Sequence, residues 1–273
     1  MRVETTRVAP HWLELREGAD AAARAWELVR HLRRRLPAGD GLVVHDLACG
    51  SGSMGRWLAP LLDGPQHWVL HDHDPDLLAL AEDDAPARSA DGEPVAIETR
   101  LSDVAELVSG ELAGASLVTA SALLDLLSGS ELESLIHVCR GAGCPVLLAL
   151  SVTGRVQLLP PDPLDARLAA AFNAHQRRAT GRGRLLGPDA VEATVEGFRR
   201  LGADVLVAPS PWRLDRADAE LTAAWLDGWV DAACEQDARL AAVAEPYRER
   251  RLDEARSGRL TVFVGHADLL VLP

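Results

Sequence analysis

Leu42-Val43-Val44-His45-Asp46-Leu47-Ala48-Cys49-Gly50-Ser51-Gly52-Ser53-Met54-Gly55 runs as a short apolar strand, a glycine turn and the start of a helix continuing through Trp57 and Leu58. An open α/β sheet builds a nucleotide site at its carboxyl edge in this way. The glycines are needed because the turn visits positive φ and lets backbone N–H groups approach a ligand with no Cβ in the way. That geometry leaves the ligand open.

Working outward, strand-length apolar runs alternate with helical segments. Residues 67–71, 95–100, 117–121 and 145–152 read as strands, and 75–82 and 129–140 as helices. This alternation predicts an α/β fold: a doubly wound, mostly parallel sheet with helices on both faces. After the fifth strand it stops. A helix over 164–178, a loop at 179–184, a helix over 188–201, a sixth strand at 203–207, helices near 216–235 and 237–256, and a last strand at 259–265 complete the chain, with His266 and Asp268 beyond it. Upstream, Trp12, Leu15, Ala22, Trp26, Leu28, Val29 and Leu32 predict one helix over 12–35, ended by Pro37-Ala38-Gly39 and laid across the sheet edge as a lid. Its Arg16, Glu17, Asp20 and Arg24 read as a solvated charged face. The organisation expected is a single domain over 1–273, with the lid at 1–40, a nucleotide-binding half at 41–153, a helical insertion at 154–202 and carboxy-terminal strands and helices at 203–273.

Composition narrows the partner. With 28 basic and 41 acidic residues the formal net charge is -13, which opposes nonspecific contact with nucleic acid or an anionic membrane and favours a small molecule. No apolar run approaches the roughly 20 residues of a membrane helix, and the first residues lack the apolar segment of a secretory signal, so a cytoplasmic place is expected. Cys49, Cys139, Cys144 and Cys234 show neither a CxxC pair nor a disulfide-framework spacing and read as small hydrophobes. The basic residues are all arginine, which excludes a lysine Schiff base.

Gly50-Ser-Gly52-Ser-Met-Gly55 spells GxGxxG, and Asp72 follows about 20 residues on, as the dinucleotide fingerprint asks. Asp46 argues against that ligand, because a carboxylate ending the first strand sits near the pyrophosphate a dinucleotide brings to the loop. Like charges a few Å apart oppose each other, whereas a cofactor with cationic groups and no phosphate gains from the acid. S-adenosylmethionine has that pattern. In His71-Asp72-His73-Asp74 a metal site is the less economical reading; a ribose acid flanked by surface histidines, with Asp74 and Asp76 as helix cap and first-turn acid, explains the run without one.

On these residues the chain resembles the class I S-adenosylmethionine-dependent methyltransferases, a Rossmann-like family, over 42–152 and by element order beyond. The resemblance implies a seven-stranded sheet whose antiparallel last strand, here Leu260 to Val264, inserts between the fifth and sixth. Asp46 to Gly52 is similar to the cofactor loop, with Asp46, Ala48, Gly50 and Gly52 around the methionyl part; Ala48 replaces the usual first glycine. Asp72 resembles the acid that accepts from both ribose hydroxyls, with His73 beside it. Asp103 is similar to the acceptor for the adenine amino group, with Val104 and Leu101 packing on the ring. Thr119 to Asp125, with Ser121 at the strand end, resembles the stretch facing donor and acceptor. It lacks the Asn/Asp-Pro-Pro-Tyr motif of many enzymes that methylate amino groups on nucleic acid or protein.

The resemblance implies in-line methyl transfer from S-adenosylmethionine to a small-molecule acceptor, by a monomer or homodimer and without a metal. A hydroxyl acceptor calls for a base, and the candidates are Asp125 and His175. His175 continues the helical face of Leu164, Leu168 and Phe172; Leu221, Trp225 and Trp229 form another stripe that reads as core. Ser210 to Arg213 reads as a rigid turn. Two alternatives stay open: an NAD(P)-dependent oxidoreductase built on GxGxxG, and a non-catalytic S-adenosylmethionine-binding module.

Overall fold

The computed structural model describes residues 8–37, 39, 41–108 and 110–273. Helices α1 (Pro10–Ala23) and α2 (Trp26–Arg33) lead into β1 (Leu42–Leu47), α3 (Ser53–Leu58), β2 (Gln66–Asp72), α4 (Pro75–Asp83), β3 (Val95–Leu101), β4 (Leu117–Ser121), α5 (Gly129–Ala142) and β5 (Val146–Leu159). There follow α6 (Asp165–Gln176), the two-residue strands β6 (Ala179–Thr180) and β7 (Gly183–Arg184), α7 (Ala190–Arg200), β8 (Asp204–Pro209), β9 (Trp212–Leu214), α8 (Ala219–Gln236), α9 (Ala241–Arg256) and β10 (Thr261–Leu272). Among the described residues no helix is long and apolar enough to cross a membrane.

The main sheet has the order β3-β2-β1-β4-β5-β10-β8, with β9 added on β10. The first five strands are parallel, and β10 is antiparallel to both β5 and β8. This is the expected doubly wound sheet with an antiparallel last strand. Alternate strand residues feed two cores, as period-two geometry demands. Leu42, Val44, Leu117, Leu147 and Leu270 pack on one face with α2, α3 and α4, whereas Leu47, Val118, Leu148 and Val271 pack on the other with α5 and α7.

A third core lies above the sheet's carboxyl edge. The second half of β5 and the first half of β10 extend past the sheet as an arm, and α6, α8 and α9 bury Leu168, Trp225, Trp229 and Tyr247 against Leu158, Val262 and Val264. The stripe of Leu221, Trp225 and Trp229 is core, as its spacing suggests. Both long strands exceed their expected bounds. The fifth strand runs on to Leu159, with Thr153, Arg155 and Gln157 exposed between half-buried or buried neighbours. The last begins at Thr261 and runs to Leu272, so His266 and Asp268 lie inside it and not beyond it, and both are buried. The stretch read as a rigid turn, Ser210 to Arg213, runs into β9 at Trp212.

The amino-terminal segment departs most from expectation. It is two helices that break at Arg24 and Ala25, because its halves bury in different cores. Trp12, Leu15 and Ala19 of α1 face the third core, and Leu28, Val29 and Leu32 of α2 face the sheet. Arg24 is extended at the break (φ -53°, ψ 137°), and Asp268 Oδ2 accepts the Ala25 N–H at 2.7 Å, fixing the start of α2. Trp26, counted in the single-helix stripe, is 53% exposed. Nor is the charged face solvated: Asp20 and Arg24 are buried and Arg16 and Glu17 half-buried. Of the lid expected over 1–40, residues 1–7, 38 and 40 lie outside the described residues.

Candidate functional site

The strand order reverses between β1 and β4, and ligands of open α/β sheets bind in the crevice at that point. The loop leaving β1 there places Ala48, Gly50 and Gly52 at φ 51°, 56° and 83°. At Ala48 the methyl makes this conformation cost roughly 1–2 kcal/mol. Gly52 is required twice over, since a Cβ there would lie 3.1 Å from the Ala81 Cβ on α4. A Cβ on Gly50 would meet Leu13 of α1 at 3.3 Å, so α1 rests on the loop. Arg56 of α3 ties it down further, donating to both Glu17 oxygens at 2.7 and 2.6 Å.

Three acids line this edge, one from the end of each neighbouring strand or its following turn. Asp46 is 1% exposed; Thr119 donates to its Oδ1 at 2.7 Å, and its Oδ2 has no partner among the described residues. Burial pushes its pKa up to about 7, against the Thr119 hydrogen bond and the charge of Arg24. Asp72, also buried, accepts the Gly50 N–H on Oδ2 and the Asp74 N–H on Oδ1, both at 2.9 Å, so it locks the glycine loop to the turn after β2. His73 Nδ1 lies 3.4 Å from Asp72 Oδ1. Asp103 accepts from Arg182 Nη2 at 2.6 Å and from the Ala105 N–H at 3.0 Å. Burial pushes it up, but the bonds from Arg182 and Ala105 outweigh this and hold it below the usual carboxylate range. Val104 packs on the α5 side of the sheet, whereas Leu101 is 66% exposed.

The histidine reading of this stretch is corrected at His71. It is buried, its Nε2 lies 2.9 Å from His45 Nδ1 and its Nδ1 3.1 Å from Ser102 Oγ, and burial lowers its pKa to about 4. It is a neutral core residue between β1 and β2, and His73 alone is the exposed flank of Asp72.

The break between α1 and α2 delivers a residue that helical periodicity hides. Arg24 is 3% exposed and donates to Ser53 O and Ser53 Oγ, each at 3.2 Å, and to Ser121 Oγ at 3.3 Å. Its guanidinium lies over the Trp57 ring, 5.2 Å from the centroid. Its Nε has no partner among the described residues. Burial lowers its pKa, opposed by the charges of Asp20, Asp268 and Asp46. The available signal is a phase shift. From Trp12, Leu15 and Ala19 the stripe should continue through 26 and 30, yet 28, 29 and 32 are the buried positions.

Beside Arg24, α1 meets the arm through a polar-aromatic wall. Arg16 donates to Asp20 at 2.9 Å and lies over Trp212, whose Nε1 also donates to Asp20 at 2.9 Å. His266 packs against Trp212 at 5.2 Å, and burial lowers its pKa to about 3. Asp125, in the turn after β4, is half-buried; burial raises its pKa to about 6 while Arg16 draws it down. Ser121 and Asp125 thus belong to this edge. His175 does not: its Nε2 lies 3.0 Å from Glu235 Oε2, joining α6 to α8 within the cap.

No family model and no curated protein matches the chain. Among solved structures it is similar to a SAM-dependent methyltransferase from Geobacter sulfurreducens in complex with S-adenosyl-L-homocysteine, at 18% identity over 97% of this chain and 98% of that one, with a TM-score of 0.47. It is similar also to the cyclopropane synthase MmaA2 from Mycobacterium tuberculosis (14% identity, 88% and 82% covered, TM-score 0.44). A third is a phosphoethanolamine N-methyltransferase from Haemonchus contortus (14% identity, 97% and 57% covered, TM-score 0.48). These likenesses are distant, and the chemistry of the site lies in its own residues.

Proposed function

We propose that the carboxyl edge binds S-adenosylmethionine and that the protein transfers its methyl group to a small-molecule acceptor. Asp46 carries this reading. It is a buried carboxylate with one unpaired oxygen, set at the end of β1 where a dinucleotide would bring its pyrophosphate. A phosphate there meets a like charge, whereas a cation satisfies the free oxygen. The sheet favours the same choice. An antiparallel β10 between β5 and β8 departs from the 3-2-1-4-5-6 order of dinucleotide folds and agrees with the family the sequence resembles.

When bound, the cofactor supplies a methyl already activated by its sulfonium. The chain's own residues bind and align. Backbone at Ala48, Gly50 and Gly52 receives the methionyl part. Asp72 spends a lone pair of Oδ2 on the loop at Gly50 and one of Oδ1 on Asp74 in the turn after β2, and keeps the others for ribose hydroxyls, with His73 at its exposed side. Asp103 and Val104 serve the adenine end. Ser121 and Asp125 face the transfer point, and Asp125, whose pKa burial raises to about 6, is the base for a hydroxyl acceptor in preference to His175, which pairs with Glu235 between α6 and α8. The net charge of -13 supports a small acceptor over a polyanion.

Calorimetric titration tests the reading. S-adenosylmethionine and S-adenosylhomocysteine are expected to bind and NADH not to; NADH binding with no response to either sulfur nucleoside refutes it.

A further inference from the structure

We infer that the face of the arm turned away from the cap holds a binding site for a small amphipathic carboxylate, Arg155 taking the head and an apolar pocket beside Phe263 taking the body. None of the residues that line it belongs to the proposed cofactor set, so the two readings stand separately.

Period-two geometry sends alternate residues of the arm to opposite faces. Leu158, Val262, Val264, Trp212 and Leu214 enter the third core, and Arg155, Phe263 and Arg213 on the neighbouring strands turn outward. The sheet is interrupted here. β10 bulges between Val264 and His266, and opposite it Pro209 ends β8 and Pro211 precedes β9, neither with an N–H to give the ladder. A cavity of about 330 Å³ opens at the interruption, walled by Val207, Pro209, Pro211 and Phe263 and bordered by Thr153 and Arg155.

Gly265, at the bulge, keeps the cavity open. A Cβ there would lie 2.5 Å from Thr153 Oγ1 and 3.1 Å from the Arg155 Cβ, so any larger residue collides with the hydroxyl and with the stem of the arginine. That stem carries the guanidinium over the Phe263 ring, 5.1 Å from its centroid. Stacking fixes the plane of the guanidinium and leaves its N–H edge for an acceptor.

Among the described residues no carboxylate pairs with Arg155, and no acid lines the cavity. In a chain of formal net charge -13, a cation left without an acid beside an apolar pocket selects an anion with an apolar body. One cation matches one negative charge, and a carboxylate presents that charge as two oxygens to the guanidinium fork. The neighbouring groove, of about 530 Å³, supplies the contrast. Arg213 lies 5.3 Å from the centroid of the same ring, but Asp218 shares that lining and opposes an anion.

Calorimetric titration of the full chain with octanoate, 1-octanol and octylammonium, which share one alkyl chain, tests the site. Octanoate is expected to bind about 10-fold more tightly than 1-octanol, the scale of a hydrogen bond to a charged group, and octylammonium more weakly than either. In Arg155→Gln octanoate falls to the level of 1-octanol, whose own affinity is unchanged. Val207 is 48% exposed at the cavity wall, and Val207→Glu, which sets a like charge there, is expected to weaken octanoate about 10-fold while Val207→Gln weakens it far less. Both altered positions are exposed, so each variant should keep the melting temperature of the unaltered protein. Absence of octanoate binding, or a preference for octanoate over 1-octanol that survives in Arg155→Gln, overturns the inference. Octanoate affinity untouched by Val207→Glu puts the ligand elsewhere and overturns it as well.

Discussion

Two arginines among the described residues are almost wholly buried, and the charges around them differ. Arg251, in the cap, donates through one nitrogen to both oxygens of Asp165 at 2.8 Å and through the other to Glu254 and Pro160 O, each at 2.7 Å, and these bonds raise its pKa against burial. Arg24, at the carboxyl edge, touches only neutral acceptors, and its pKa falls. Each arginine also keeps an Nε without a partner among the described residues, so the difference lies in the charge of what they touch: the cap pairs its cation with acids of its own, and the edge leaves the cation of Arg24 and one oxygen of Asp46 without a charged counterpart.

The contrast breaks most visibly in stability. Arg251→Ala strands the Asp165 carboxylate, which also accepts from Tyr247 at 2.7 Å, and opens a space beside that ring. A loss of about 3–5 kcal/mol is expected in urea denaturation, the usual cost of removing one partner of a buried pair. A loss under about 1 kcal/mol would show that the cap gains nothing from its closed charges.

Asp46→Asn is expected to act in the other direction and with a pH signature. The folded pKa of about 7 lies above the ordinary 3.8, so between these values the folded chain holds a proton that the unfolded chain has released. Stability from this group is therefore greatest near pH 4, declines as pH rises to about 7 and is level beyond. At pH 8 the ligand-free Asn variant should exceed the unaltered protein by about 4 kcal/mol, with the difference vanishing near pH 4. A difference that is flat with pH would remove Asp46 as a strained acid. Arg24→Met follows with a smaller effect, within about 1 kcal/mol of the unaltered protein without ligand, because a buried cation without a charged partner adds little and an apolar side chain of similar length fills its space.

How much of this the sequence declared depends on the range of the interaction. The glycine loop, Asp46 and Asp72 were legible because their geometry is set within a few residues of a strand end, and the strands of the parallel half show their length in continuous apolar runs. The alternation of Thr153, Arg155 and Gln157 with partly buried neighbours was also present, although Gly154 reads locally as a turn. The break at Arg24 was not legible, since it arises from two cores that meet only in three dimensions. Asp268 reads as a polar residue outside a strand, and three donors brought from β5, the residue before α2 and the turn before β9 make its burial tolerable.

Arg182 is the smallest lever on the comparison. It lies in the β6–β7 hairpin of the insertion and closes on Asp103 from 79 positions away in sequence, with Glu131 as a second partner at 3.5 Å. Its side chain is 33% exposed and that of Asp103 26%, so solvent screens the pair and Arg182→Ala should change stability by less than about 1 kcal/mol. The hairpin shares the open character of the edge and not the closed character of the cap. In stopped-flow measurements the variant should therefore release S-adenosylhomocysteine faster while its melting temperature barely moves. If the melting temperature drops by several degrees and the release rate is unchanged, the Asp103–Arg182 pair belongs with Arg251 and Asp165 as a closed structural contact, and the adenine end of the site must be sought elsewhere.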